Sequence, residues 1–269
     1  MITMDMIREA HEVVKAAGAV YTPVLNIPKI AENLYVKCEN LQKTGSFKLR
    51  GATYKISKLT DAEKAAGVIA ASAGNHAQGV ALSATNMGVK SVICMPAGAP
   101  LAKVEATKGY GAEVVLVPGA FDDAAAKAVE LQKEFGYTFA HPYNDDYVMA
   151  GQGTIGLEIM EQAPDADCVI IPIGGGGIAS GIAYAIKNIK PECTVIGQHL
   201  VKTLVDRRKF VFRHLHRFVF DAGIFDSLFI VEHSDGTAAF FGQRPVGFLC
   251  PVSQRIGLLL FQTDQNSFR

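Results

Sequence analysis

Along residues 1–197 the apolar positions follow two alternating rhythms. Short continuous apolar runs read as buried strands at Gly67–Ser72, Ser91–Pro96, Glu113–Pro118, Gly136–His141, Cys168–Ile173 and Cys193–Gly197. Between them, apolar residues return at helical spacing over Asn75–Met87, Ala102–Gly109, Phe121–Phe135, Tyr147–Gln162 and Ile178–Ile189. An amphipathic helix over Met6–Ala17, a short strand at Leu34–Cys38 and a helix over Ser46–Leu59 precede this series. Buried strands alternating with helices predict βαβ units and parallel sheets. The long helix from Tyr147 is placed to bridge two sheets. The expected architecture is α/β: two open parallel-sheet domains with a cleft between them. Residues 1–40 with 146–197 form the larger domain, and residues 41–145 the smaller.

The rhythm stops after Gly197, and composition changes with it. Residues 1–197 hold 15 Lys and 2 Arg, while residues 198–269 hold 2 Lys and 7 Arg. Of the 15 Phe, 11 lie in those last 72 residues. Arg207–Phe220 alternates as a strand would, but no helical partner follows it. Residues 198–269 therefore read as an atypical tail, either an unusual β-rich segment or sequence out of frame, and the larger domain as truncated after residue 197.

With 269 residues, 49% of them hydrophobic, the chain can bury a large core. Basic and acidic residues balance at 26 each, which argues against an electrostatic nucleic-acid binder. Cys38, Cys94, Cys168, Cys193 and Cys250 are scattered and odd in number, so buried reduced thiols are expected rather than disulfides or a metal site. The N-terminal residues lack an apolar signal region and no membrane-length apolar run occurs, so a soluble cytoplasmic protein without membrane contact is expected.

Three loops carry candidate chemistry, each at a strand or helix end where open α/β sheets place ligands. In Lys43-Thr-Gly-Ser-Phe-Lys-Leu-Arg-Gly51, Lys48 lies early in a helix between Phe47 and Leu49, with Arg50 close by. Partial burial and neighbouring positive charge disfavour the ammonium form, as a Schiff-base lysine requires. By spacing alone a solvated helix lysine is the commoner case. In Ser72-Ala-Gly-Asn-His-Ala-Gln-Gly79, Ser72, Ala73, Gly74, Asn75 and His76 lead from strand into helix. Backbone N–H groups there attract an anion such as a carboxylate, although an ordinary N-cap looks the same. Gly174, Gly175, Gly176 and Gly177 join a strand to a helix and can wrap a phosphate closely. Gly174, Gly176 and Ala179 also satisfy G-x-G-x-x-A, but the strand ending at Gly197-Gln198 lacks the acidic residue a dinucleotide ribose calls for.

Together, Lys43–Ala52, Ser72–Gly79 and Pro172–Gly177 resemble three motifs of the fold-type II pyridoxal-phosphate enzymes, in the family's order. Within that family they are similar to the threonine and serine dehydratases (threonine ammonia-lyases). Ala150-Gly-Gln-Gly-Thr-Ile-Gly-Leu-Glu-Ile159 is similar too, and the resemblance spans about residues 17–197. It implies pyridoxal 5′-phosphate as cofactor, with Lys48 as Schiff-base lysine and α-proton base. Phe47 would pack on the pyridine ring and Asn75 would bond its phenolic oxygen. Ser72 and its neighbours Ala73, Gly74, Asn75 and His76 would hold the carboxylate of a small amino acid, and Gly174–Gly177 the phosphate. Related serine racemases carry a serine where Ala73 stands, which favours elimination over racemisation here. The implied reaction converts L-threonine to 2-oxobutanoate, or L-serine to pyruvate, with release of ammonium. A homo-oligomer is expected from the same resemblance.

The family also carries a later Ser-Gly-Gly-Asn-like segment whose serine bonds the pyridine nitrogen. Ser227, Ser234, Ser253 and Ser267 lack that context. Weak cofactor retention is the expectation that follows. Two other readings stay open: an inactive dehydratase fragment, and a β-replacement enzyme of the cysteine-synthase type.

Overall fold

The computed structural model describes residues 1–199 and, beyond them, the strand segments 213–218, 225–232, 238–242 and 257–260. Helix α1 (Met4–Ala16) starts where the Thr3 side chain accepts from the Met6 N–H at 3.2 Å, an N-cap that satisfies one of the helix's orphan donors. A short hairpin follows, β1 (Val24–Asn26) antiparallel to β2 (Leu34–Lys37), then a 3₁₀ turn at Glu39–Leu41. Helix α2 (Lys48–Ser57) begins on Lys48 itself, with Phe47 as its cap.

The next elements build a four-stranded, all-parallel sheet. They are α3 (Asp61–Ala66), β3 (Val68–Ala71), α4 (Asn75–Asn86), β4 (Ser91–Pro96), α5 (Leu101–Gly109), β5 (Glu113–Val117), α6 (Phe121–Phe135) and β6 (Thr138–Phe139). The strand order is β5-β4-β3-β6. Side chains alternate between its faces, and both are covered. Val68, Ala70 and Ile93 join Ile56, Ala77 and Val80 on one side, while Ile69, Val92 and Cys94 join Ala124 and Ala128 of α6 on the other. Burial on both faces is why the central strands β3 and β4 read as continuous apolar runs.

Helix α7 (Asp146–Gln162) leads into β7 (Cys168–Ile173), α8 (Gly177–Ile189) and β8 (Thr194–His199). The strand segments beyond are β9 (Arg213–Phe218), β10 (Phe225–Glu232), β11 (Ala238–Gly242) and β12 (Gly257–Leu260). The larger sheet has the order β1-β2-β12-β7-β8-β9-β10-β11. It is parallel from β2 to β8 and antiparallel outside them. The parallel centre carries the expected α/β pattern, and the strand expected within Arg207–Phe220 appears as β9. Ser234, Cys250, Ser253 and Ser267 lie outside the described residues.

The Ala150–Ile159 motif is explained by close helix contact. A Cβ on Gly151 would come within 2.6 Å of the Gly51 Cα, and one on Gly153 within 3.0 Å of the Gly181 carbonyl. Glycine on α7 thus lets α2 press on one side and α8 on the other. The contact fixes the Lys48 helix against the larger sheet.

Four elements and the loop before β1 converge on a buried ionic cluster. Arg50 donates to Glu39 from Nε and Nη2 at 2.8 Å each, and to Glu158 from Nη1 at 2.6 Å and Nη2 at 2.9 Å. Lys37 donates to Glu158, to the Thr22 carbonyl at 2.6 Å and to Gln162 at 3.0 Å. All four charged side chains are buried, and the two cations balance the two carboxylates. Burial opposes the Arg50 charge, but the two carboxylates outweigh it and hold that guanidinium above its usual range.

Cys38, Cys94 and Cys193 are buried and Cys168 half-buried, all as free thiols. No described helix is long and apolar enough to cross a membrane.

Candidate active site

The Lys48 loop, the α4 N-terminus and the glycine loop meet on one short segment, residues 140–143, just past the end of β6. The His76 Nε2 lies 2.8 Å from the Ala140 carbonyl. The Lys48 ammonium donates to the Pro142 carbonyl at 2.7 Å. Tyr143 lies against Gly175 and Gly177, where an added Cβ at Gly177 would fall 2.7 Å from the Tyr143 carbonyl. Helix α4 also seats on the lysine: a Cβ on Gly79 would come within 3.0 Å of the Lys48 carbonyl carbon.

Lys48 is half-buried at the first position of α2, with Nζ 5.4 Å from the centroid of the buried Phe47 ring. Two residues earlier, the fully buried Ser46 hydroxyl has no hydrogen-bond partner among the described residues.

Helix α4 starts at Asn75 with Gly74 as N-cap, and no side chain caps it. Its first N–H groups therefore remain available to an anion. The Ser72 Oγ accepts from the Gly74 N–H at 3.2 Å, which leaves the Ser72 proton free to be donated outward. The Asn75 Oδ1 accepts from Lys103 Nζ at 3.4 Å, so the Asn75 amide presents its NH2 end elsewhere. Ala73 and Gly74 are half-buried beside them.

His76, by sequence more usual on a helix surface, is buried. Burial, with the Lys48 charge second, pushes its pKa down to about 3. A carbonyl only accepts, so the neutral ring carries its proton on Nε2. The His141 Nδ1 accepts from the Tyr143 N–H at 3.2 Å and the Asn144 N–H at 2.8 Å. Burial lowers that histidine too, Asp145 opposes the shift and Lys48 adds to it. Both imidazoles are neutral near pH 7.

His76 thereby links pH to folding. Its folded pKa lies below the unfolded value of 6.5, so the unfolded chain binds more protons in between. The associated stability is present above pH 6.5 and is lost as pH falls toward 3. Unfolding free energies from urea titrations between pH 7 and pH 4 are expected to drop by up to about 1.4 kcal/mol per pH unit from this residue. In His76→Gln, whose amide can still donate to Ala140, the slope should flatten. An unchanged slope in that variant would remove His76 as the cause.

The glycine loop divides by side. Gly174 and Gly176 have no atom within 4 Å of an added Cβ, and Gly176 adopts φ +89° as the N-cap of α8. Gly175 and Gly177 instead carry the Tyr143 contact. No side chain caps α8, so its N-terminus, like that of α4, offers donors to an anion. Open glycine backbone, two uncapped helix ends, a buried aromatic ring and an amine fit pyridoxal phosphate.

Residues 140–143 escaped the sequence motifs. They lay at the end of a run read as strand to His141, whereas β6 stops at Phe139. The available signal was positional: the carboxyl end of a parallel strand, followed by a His-Pro pair.

A family model described as pyridoxal-phosphate dependent enzyme matches residues 16–203. L-threonine ammonia-lyase of Thermotoga maritima is 51% identical over 201 residues, covering 73% of this chain and 50% of that protein. A catabolic L-threonine dehydratase of Staphylococcus aureus is 54% identical over 165 residues, covering 61% of this chain and 48% of that protein. The chain thus spans about half the length of the curated relatives it matches. Among solved structures, maize serine racemase superposes with TM-score 0.71 at 38% identity, covering 73% of this chain and 61% of that one. Threonine deaminase isoform 2 of Solanum lycopersicum gives 0.68 at 38%, covering 73% and 56%.

Proposed function

The chain belongs to the pyridoxal-phosphate dependent enzymes, and from that membership we propose that it removes water and then ammonia from L-threonine or L-serine. The products are 2-oxobutanoate or pyruvate, and ammonium. The observation that carries this reading is the meeting of Lys48, the uncapped α4 end and the glycine loop on residues 140–143. The names of the relatives, a threonine ammonia-lyase and a threonine dehydratase, support the choice of substrate. The proposed division into residues 1–40 with 146–197 against 41–145 suits it as well, because Lys48 and Gly174–Gly177 then belong to different units and both touch residues 142–143.

Each residue has a defined task. When bound, pyridoxal phosphate supplies a conjugated ring that takes up the electron pair left at the substrate α-carbon. Lys48 Nζ would hold the cofactor covalently and, as a free amine, would take the α-proton. Phe47 would lie against the ring, and the Asn75 NH2 would donate to its phenolic oxygen. The Ser72 hydroxyl and the first N–H groups of α4 hold the substrate carboxylate, with Ala73, Gly74 and the fixed His76 completing that loop. Gly174–Gly177 and the α8 end hold the phosphate. Ala73 presents only a methyl group, which can neither give nor take a proton, so elimination prevails over racemisation.

The test is product analysis with added cofactor. Purified protein given L-threonine should form 2-oxobutanoate and ammonium in equal amounts, with no D-threonine or epimer detected. Sulfide-dependent turnover of an O-activated serine without ammonium release would sink the assignment in favour of β-replacement.

A further inference from the structure

The four consecutive glycines have two different reasons to be glycine, and only one of them faces a ligand. Gly174 and Gly176 border open space. At Gly175 an added Cβ would overlap the Tyr143 ring at its Cγ, Cδ1 and Cε1 atoms, and at Gly177 it would lie 2.7 Å from the Tyr143 carbonyl and 2.9 Å from its Cα. The far side of the loop is therefore shaped by one aromatic residue on a separate segment.

Tyr143 is itself held in place. Its ring meets the His141 ring edge-to-face, with centroids 4.7 Å apart at 87°. Its N–H donates to the His141 Nδ1 at 3.2 Å. Protonating that nitrogen would cost two hydrogen bonds, and His141 is kept neutral, so the clamp holds near pH 7. Pro142, between the two rings, accepts from Lys48 at 2.7 Å. A shift of the Tyr143 ring thus moves the backbone of the glycine loop.

We infer that Tyr143 is a positioning residue for the phosphate end of the cofactor, setting the path of Gly175–Gly177 so that their N–H groups converge on it. This rests on the proposed reading of the glycine loop as a phosphate cradle. A flat ring can lie against a Cβ-free backbone at van der Waals distance. No longer, branched or shorter side chain at 143 supports the loop in the same way.

The test compares pyridoxal 5′-phosphate with pyridoxal, which lacks the phosphate, in binding titrations of the purified chain. Tyr143→Ala should weaken pyridoxal phosphate binding by about tenfold or more and leave pyridoxal nearly unchanged, because displacing the loop by a fraction of an ångström misplaces only the phosphate donors. Tyr143→Phe should bind both as the unaltered chain does. Gly175→Ala should weaken pyridoxal phosphate binding similarly, and adding Tyr143→Ala should bring no further loss, since the clashing ring is gone. Gly177→Ala meets the Tyr143 backbone and should lose affinity further when combined with Tyr143→Ala. If Tyr143→Ala does not fold, Tyr143→Leu takes its place, keeping bulk without the flat ring. Equal losses for both ligands in the Tyr143 variant, or additive losses with Gly175→Ala, overturn the positioning role alone. If the unaltered chain binds pyridoxal phosphate no better than pyridoxal, the phosphate cradle itself fails and this inference falls with it.

Discussion

Lys48→Ala is expected to lower turnover of L-threonine by at least about 10³-fold, because in the proposed reading one side chain would supply both the covalent hold on the cofactor and the α-proton base. The fold should survive. Lys48 is half-buried, and neither the Pro142 carbonyl that accepts from it nor the Phe47 ring beside it is a counter-charge. Borohydride reduction followed by mass analysis gives a direct readout. With excess pyridoxal phosphate added to offset the weak retention expected, the unaltered chain should carry a pyridoxyl group on Lys48, and the variant should carry none. A label that persists on another lysine would end the assignment. A second consequence follows from electrostatics. The Lys48 charge helps to depress both His76 and His141. Removing it should move the His141 pKa upward in a proton NMR titration, even though burial remains the larger cause for each ring.

Arg50→Met should cost about 3–5 kcal/mol in urea denaturation, the usual penalty for removing one partner of a buried charge cluster. The guanidinium bonds two carboxylates, Thr154 at 3.1 Å and the Val20 carbonyl at 3.2 Å. Its loss leaves Glu39 and Glu158 with only Lys37 to balance them in a water-excluded site. Arg50 follows Lys48 by two residues on α2, and Glu158 sits on α7. The cluster therefore ties the lysine-bearing helix to the larger sheet. A loss below about 1 kcal/mol would show that water enters the cluster and screens it.

The hydrophobic pattern determined most of the elements. Strands β3 and β4 are buried on both faces and appear as unbroken apolar runs, and β5 and β7, partly exposed, keep such runs as well, so local periodicity finds them. Helix α3 was missed for the opposite reason. None of its residues is buried, and only the Thr60–Glu63 capping box marks it. Strand β1 is 3 residues long, too short for any period to show, and its hydrogen bonds to β2 define it, whereas β6, read as a run over Gly136–His141, shrinks to the 2 residues that pair with β3.

The same division holds at the site. Lys48, the Ser72–His76 loop and the four glycines were legible because each combines unusual residues within a few positions of the chain. Their relation to one another was not. The Lys48 hydrogen bond to Pro142 spans 94 residues, and the His76 bond to Ala140 spans 64. Nothing local in Ala140-His141-Pro142-Tyr143 shows that three loops will close on it. The sequence by itself determined which chemistry-bearing loops exist, because that information is short-range. Only the tertiary structure decided that His76 is buried and neutral, that Arg50 balances two carboxylates, and that Tyr143 lies beneath the glycine loop. Burial, charge balance and steric contact all depend on residues far apart in the chain.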